Sequence, residues 1–444
     1  MYLHARGGAP GNGRGRRKAV VAGVAAAAVL ALAACASGGA GSGGADGSGQ
    51  DVALTFSWWG DASRAERYEQ ALEIFEEENP GITVRTNYAG FADYWTARNT
   101  EAASRTLPDV LQMDLAYLTE YTEFGHVIPL DEYFGDTITV DTISEPLLAS
   151  GQVDGQTYGL ASSASTLGTF VNTDLLDELG VTVPKDGLTW DEYDALLAEI
   201  SAAGAGHDPA VHGSVDYTQF FWLFQIWLQQ NGKSLLDGDQ LGFDEADLAT
   251  WWDRSAAVHE QEGFLPAKRQ EQLSGADAIG VGETAAEISW DNFLVRFSEG
   301  QAKPNLTLLP VPADDLENNS GMFLKPGLQL SVAANSEHPD EAAKLVDFLV
   351  NDPRVGEIFG MSRGVPASSA TLEGVELTEL DQQILDYEKQ LEPHLVGSAP
   401  PPVAGLSNLE TTFSTTALEV AYGTLTVDEA VDRWFAEAAT ALAG

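Results

Sequence analysis

Ten residues, Leu54-Thr55-Phe56-Ser57-Trp58-Trp59-Gly60-Asp61-Ala62-Ser63, set the terms for the rest of this chain. They read as a buried strand that empties into a two-tryptophan loop and then into a helix. Ser63 and Glu66 stand at capping-box spacing, which predicts the helix start there. Large indoles at the carboxyl end of an α/β strand sit where open parallel sheets place their ligands. Trp58 and Trp59 alternate along the strand, so one of them faces the core; Trp59 is taken for the ligand side.

The same strand-helix rhythm continues. Tyr68, Leu72 and Phe75 share a helix face, and Asn79-Pro80-Gly81 ends that helix. Ile82, Val84 and Thr86 alternate as a strand, and a helix runs from about Ala92 to Leu107-Pro108. Asp109 to Met113 forms a third strand that delivers Asp114 at its exit, before a helix over Tyr117 to Phe124. Such alternation means an α/β fold with mostly parallel sheets. The length from Asp51 to Gly444 exceeds what one hydrophobic core covers, so two lobes with a cleft at a hinge are expected. The Ser-rich Ala161 to Ser165, between two extended segments, is read as the first passage between lobes. A return near Lys325-Pro326 and a third passage near Asn351-Asp352-Pro353 complete the division. The first lobe is then 51–162 plus 326–351, and the second 163–325 plus 352–444.

An address label precedes the fold. Arg14, Arg16, Arg17 and Lys18 form a basic segment, Ala19 to Ala34 is apolar, and Leu32-Ala33-Ala34-Cys35 closes it. The run is short and ends in small residues, so residues 1–34 read as a secretory signal rather than a membrane span. Leu-Ala-Ala-Cys resembles the bacterial lipobox, which makes Cys35, the only cysteine, the expected lipid attachment point. Residues 35–50, rich in Gly, Ser and Ala, read as a flexible tether. No further apolar run is long enough to span a membrane. The formal net charge is −44, and cleavage before Cys35 would remove five basic residues and no acidic one. So negative a surface repels phosphate backbones and anionic headgroups, which argues against nucleic-acid and peripheral membrane binding.

The second lobe opens with helices over Thr173 to Leu179 and Trp190 to Ala202, the latter started by the Thr189–Glu192 capping box. In Phe220-Phe221-Trp222-Leu223-Phe224-Gln225-Ile226-Trp227, residues Phe220, Phe224 and Trp227 share a core face. Trp222 points elsewhere and is the one expected to reach a ligand. Asp237-Gly238-Asp239 suggests a calcium loop, but Leu241 and Leu248 stand where oxygen ligands belong, so a hairpin turn is expected. Trp251-Trp252 lie inside a helix where at least one packs. Glu287 to Trp290 reads as a strand ending at an aromatic, with Asp291-Asn292 starting a helix. Leu306 to Pro310 and Gly327 to Ala333 are further strands, with a helix over Pro339 to Leu349. Met361 to Pro366 reads as an irregular segment near the cleft. Leu406 to Ala421 and a helix capped by Thr426 with Glu429 close the chain.

Leu54–Gly60, Leu107–Asp114, Tyr158-Gly159-Leu160 through Val171–Asp174, Trp290-Asp291-Asn292, Asn335 to Leu349 and Thr426–Ala430, in that order, carry a resemblance. Together they resemble the family 1 extracellular solute-binding proteins, lipoprotein receptors of ABC-type sugar importers and distant relatives of maltose-binding proteins. The resemblance implies a two-lobe periplasmic-binding-protein-like fold that captures a di- or oligosaccharide by hinge closure. It also implies delivery to permease subunits in the membrane, an extracytoplasmic, lipid-anchored location and a monomeric receptor.

The residues make their own case for sugar. A pyranose has an apolar face that a ring covers and a hydroxyl rim that planar polar groups read. Candidates from the first lobe are Trp59, Asp61, Asp114 and Tyr117. Those from the second are Trp222, Trp290 and Asn292, with Arg363 as a bidentate donor. Asp114 has an alternative role as a helix cap, Arg363 as half of a surface ion pair, and Tyr94 and Trp95 read as helix packing. No cofactor or metal is expected. A secreted glycoside hydrolase would also use tryptophans and acids, but no strand-end Glu pair, HExxH or G-x-S-x-G arrangement stands out. The same fold serving a peptide, polyamine or other cationic solute stays open, since Trp with Asp binds cations too.

Overall fold

A computed structural model describes residues 51–442, without 186, 238–239, 274–275, 397–398 and 400–405. Cys35, the signal and the tether lie outside the described residues. Strand β1 (Val52–Trp59) leads into α1 (Ala62–Glu78), β2 (Ile82–Ala89), α2 (Phe91–Ser104), β3 (Val110–Met113) and α3 (Leu115–Glu123). Later come β4 (Leu160–Ser165), β5 (Leu167–Asn172), α4 (Phe221–Gln230), β6 (Ala286–Trp290), β7 (Leu306–Leu309) and β8 (Lys325–Val332). Then follow β9 (Val365–Pro366), α5 (Glu379–Leu391) and α6 (Leu406–Ala421).

Two sheets organise these elements. The first has the order β9-β4-β8-β3-β1-β2, and the second β6-β5-β7. β1 runs parallel to β2 and β3, whereas β8 runs antiparallel to β3 and β4. The first sheet thus brings the exits of β1 and β3 to one end, as the alternation predicts. The second differs from the expected mostly parallel sheet: β6 and β7 both pair antiparallel to β5. Each sheet has its own core. Phe56, Trp58, Tyr68, Leu72 and Phe75 belong to one, and Phe170, Leu223, Phe224, Trp251 and Trp252 to the other. Trp58, not Trp59, is the core member of its pair, and Trp251 and Trp252 both pack fully.

Asp109 shows how the first sheet is stitched at the end away from these loops. Its carboxylate accepts from the Thr55 backbone N–H at 2.8 Å, the Thr55 hydroxyl at 2.7 Å and the Ser336 hydroxyl at 2.6 Å. Replacing it with alanine orphans the Thr55 N–H and is expected to cost about 2 kcal/mol, read as a lower chemical-denaturation midpoint with an unchanged slope.

Several local expectations shift. The cap of α1 is Asp61, whose carboxylate accepts the Arg64 N–H at 2.9 Å; the Ser63–Glu66 spacing lies inside the first turns. The Ser-rich segment is no linker but the buried strand β4, where small side chains allow close approach: the Ser163 hydroxyl donates to the Arg363 carbonyl at 2.6 Å. Thr166 alone separates β4 of the first sheet from β5 of the second. Its N–H donates to Asp291 Oδ2 at 3.1 Å and its hydroxyl to the Phe323 carbonyl at 3.1 Å.

The chain also stays with the first sheet beyond Asn351. Val355 and Phe359 pack in that sheet's core, and Val365-Pro366 pair with β4 as an edge strand. The chain thus stays with the first sheet through Glu373, and α5, which follows, packs against β7. Asp352 caps the next helix, which explains why Asn351-Asp352-Pro353 reads as a break. Leu236–Asp237 and Gln240–Leu241 pair as a hairpin, and the described residues contain no group of acidic, His or Cys side chains placed to hold a metal ion. Among them no helix is long and apolar enough to cross a membrane.

Candidate functional site

The exits of β1 and β3 build an aromatic wall. Alternation buries Trp58 and leaves Trp59 half-buried beyond it. The Trp59 ring meets Phe91 edge-on at 5.4 Å and Tyr94 at 5.5 Å. Tyr94 and Trp95 are buried, as their packing role predicts. Trp95 nevertheless supports the wall, since its ring stacks on Tyr117 at 3.6 Å with the planes 9° apart. Phe91, which the sequence reading missed, is 48% exposed at the start of α2. Asp114 caps α3 by accepting the Ala116 N–H at 2.9 Å, and Asp61 caps α1. Both carboxylates are thus held at helix N-termini, where the backbone charge favours them.

A second cluster forms where β6 ends beside α4 and β8 begins. Trp290 is half-buried, with Phe220 edge-on at 6.0 Å and Trp222 at 6.1 Å. Phe220 precedes α4 as its cap residue and so leaves the core face that its spacing suggests. Trp222 is nearly buried, and its indole N–H donates to Glu410 at 3.0 Å. The Lys325 ammonium lies 5.2 Å from the Trp222 ring centre and 5.6 Å from that of Trp290. Asn292 follows Trp290 directly, and its Oδ1 is buried with no partner among the described residues.

Electrostatics ties the two groups together. Burial raises the Glu410 carboxyl above the ordinary range; Lys325 and the Trp222 hydrogen bond oppose that, and Asp114 adds to it. Asp114 of the first sheet is therefore within electrostatic reach of Glu410 on α6, and α3 contacts α6 directly. Leu115, at the start of α3, packs into the core of the second sheet. Lys325 and Glu410 carried no motif of their own, and only the fold brings them to the tryptophans.

Arg363 stands apart. It is 7% exposed, its guanidinium 3.8 Å from the Phe359 ring centre, with Nη1 donating to the Tyr68 hydroxyl at 3.4 Å. The alternative of a surface ion pair fails, because no acid pairs with it among the described residues. The arrangement as a whole offers half-exposed ring faces, anchored carboxylates and an ammonium, a set suited to polyhydroxylated ligands with apolar faces.

A family model for bacterial extracellular solute-binding proteins matches residues 61–353. A putative binding protein of Brucella abortus is 28% identical over 173 residues, which are 39% of this chain and 41% of the relative. The chain thus matches about two-fifths of the length of the curated relatives. A family 1 extracellular solute-binding protein from Alicyclobacillus acidocaldarius superposes with a TM-score of 0.70 at 24% identity, over 89% of this chain and all of the other. A periplasmic oligogalacturonide-binding protein from Yersinia enterocolitica, in complex with saturated digalacturonic acid, superposes with a TM-score of 0.75 at 21% identity. That match covers 88% of this chain and 99% of the other.

Proposed function

The chain belongs to the bacterial extracellular solute-binding proteins, and from that premise we propose that it captures a di- or oligosaccharide for an ABC importer. The family is non-catalytic, extracytoplasmic and works with membrane permeases. The observation that carries the carbohydrate reading is the pair of half-buried tryptophans, Trp59 and Trp290, at strand exits of different sheets. Asp61 follows Trp59 by two residues, and the Lys325 ammonium lies 5.6 Å from the Trp290 ring centre. A sugar ring needs both kinds of group, face cover and rim hydrogen bonds. Trp59, Asp61, Asp114 and Tyr117 supply one side in this reading, and Trp222, Trp290 and Asn292 the other.

The lobes divide at Thr166, at the start of β8 and after Glu373. A ligand touching both sides favours the closed arrangement because only there does it gain both sets of contacts. Cys35 is the proposed lipid anchor and the receptor works as a monomer. The test is a thermal-shift screen with mono- and oligosaccharides, peptides and polyamines, followed by small-angle scattering with the best binder. A raised melting point and a smaller radius of gyration are expected. Shifts confined to peptides or polyamines would replace the carbohydrate reading with a cationic one, and an unchanged radius would remove hinge closure.

A further inference from the structure

We propose that the carbohydrate carries a carboxylate, and that Arg363, flanked by Arg64 and Arg67, receives it at the loop end of the first sheet. This rests on the receptor reading above and names the substrate class within it.

The placement follows from register. β9 runs antiparallel to β4 with Val365 opposite Ala164, so Arg363 lies beside the exit of β4, the end shared with the exits of β1 and β3. α1 starts at that end, which brings Arg64, Arg67 and Tyr68 to the same place. Arg64 donates through Nη1 to the Trp59 carbonyl at 3.0 Å, and Arg67 to the Phe359 carbonyl at 2.9 Å.

The charge pattern here is unusual. The chain has 67 acidic residues against 23 Lys and Arg, so an arginine should find a carboxylate almost anywhere. Arg98, Arg254, Arg269, Arg296, Arg354 and Arg433 do form ion pairs; among the described residues the exposed Arg85 and Arg105 do not, and neither do these three, which are buried or half-buried. Glu66 and Glu69, the acids nearest in sequence, form no ion pair with these arginines among the described residues, and Asp61 accepts only the Arg64 backbone N–H.

Arg363 is the most constrained of the three. Phe359 covers the face of its guanidinium and Tyr68 takes one N–H; its Nε and Nη2 have no protein acceptor among the described residues. A buried, unpaired guanidinium is costly, and burial together with Arg64 and Arg67 lowers its pKa. That cost is removed by a planar anion accepting two parallel N–H bonds, the geometry of a carboxylate. Because the chain as a whole repels anions, capturing one requires a local cationic site of this kind.

Titration calorimetry on the full chain tests the proposal. Uronate-bearing disaccharides of the galacturonate, glucuronate and mannuronate types are each set beside the same disaccharide with its carboxyls reduced to alcohols. Inorganic phosphate is a separate arm. At least one uronate is expected to bind 10-fold or more tighter than its reduced counterpart, a preference that shrinks between 0.05 and 0.5 M NaCl. Arg363→Gln should abolish that preference and Arg363→Lys retain part of it. If Arg363→Gln does not fold, Arg64→Gln with Arg67→Gln, on half-exposed positions, should lower uronate affinity several-fold with little change in melting point.

A reduced disaccharide binding as tightly as its uronate overturns the carboxylate assignment and leaves the receptor reading intact. So does a preference that survives in both variants, and phosphate matching the uronates overturns it in favour of a general anion site. A folded protein that binds no saccharide of either kind, here or in the broader screen, overturns the carbohydrate reading itself, and this inference with it.

Discussion

Trp290→Ala is expected to weaken carbohydrate binding about 100-fold while moving the melting point of the unliganded protein by only a few degrees. The ring is half-buried and touches Phe220, Trp222 and the Lys325 ammonium. Part of its surface is thus left open to a ligand rather than spent on the core. Tryptophans at the centre of a binding surface commonly contribute 2 kcal/mol or more, and about 2.7 kcal/mol corresponds to two decades of affinity. Trp222 makes a useful contrast. It is 6% exposed and committed to Glu410, so Trp222→Ala combines lost affinity with a core cavity costing about 3–5 kcal/mol. Trp58→Phe, with its ring wholly in the first core, should lower stability and change affinity little. Calorimetric affinities and unliganded melting points separate the three cases. Unchanged affinity in Trp290→Ala would remove the second wall from the site.

That contrast shows what was legible in the residues alone. Period-two alternation separates Trp58 from Trp59 because a strand has only two faces, and the strand-exit position of Trp290 follows from the polar turn after it. The capping boxes at Thr189–Glu192 and Thr426–Glu429 form as read, since their partners lie three residues apart. Asp61 took the α1 cap from Ser63, and both spacings were on the page; the earlier acid won. Lys325 and Glu410 could not be found this way. Their contact with Trp222 spans 103 and 188 residues, and neither sits in a local pattern. The Ser-rich strand β4 was misread for a different reason. Small polar residues signal flexibility in solvent, but between β8 and β9 they allow close backbone approach with side-chain hydrogen bonds satisfied. Strand direction in the second sheet was equally illegible, because period-two patterns carry no sense of pairing.

Stability should fall as pH rises from about 5 to 9, and Glu287→Gln should remove a large part of that fall. The Glu287 carboxyl end is enclosed, Oε2 has no partner, and burial with nearby Asp277 raises its pKa from 4.5 to about 8. A group whose folded pKa is raised holds its proton in the native state while the unfolded chain has lost it. Its contribution is therefore complete below pH 4.5 and disappears as pH climbs through about 8. Asp291 acts in the same direction, pushed up to about 6 by burial, and Glu388 beside it is raised further by burial and by Asp291. Asp291 Oδ1 and Glu388 Oε1 are both buried without a donor, so one shared proton satisfies both oxygens. The other Asp291 oxygen accepts the Thr166 N–H between the two sheets, which links this proton to the proposed hinge.

The net charge of −44 also favours acid over alkali through self-repulsion, so the wild-type slope alone decides nothing. The informative quantity is the difference between variants, since Glu287→Gln and Glu388→Gln each change the global charge by only one. Thermal midpoints from pH 5 to 9 should converge near pH 5 and separate by several degrees at pH 9, on the order of a few kcal/mol for Glu287. Glu388→Gln keeps a donor for Asp291 at every pH, so it should hold the passage in place where the wild type loosens. Parallel slopes for all three proteins would mean that these carboxyls titrate alike in the folded and unfolded chain, and that general repulsion accounts for the whole effect.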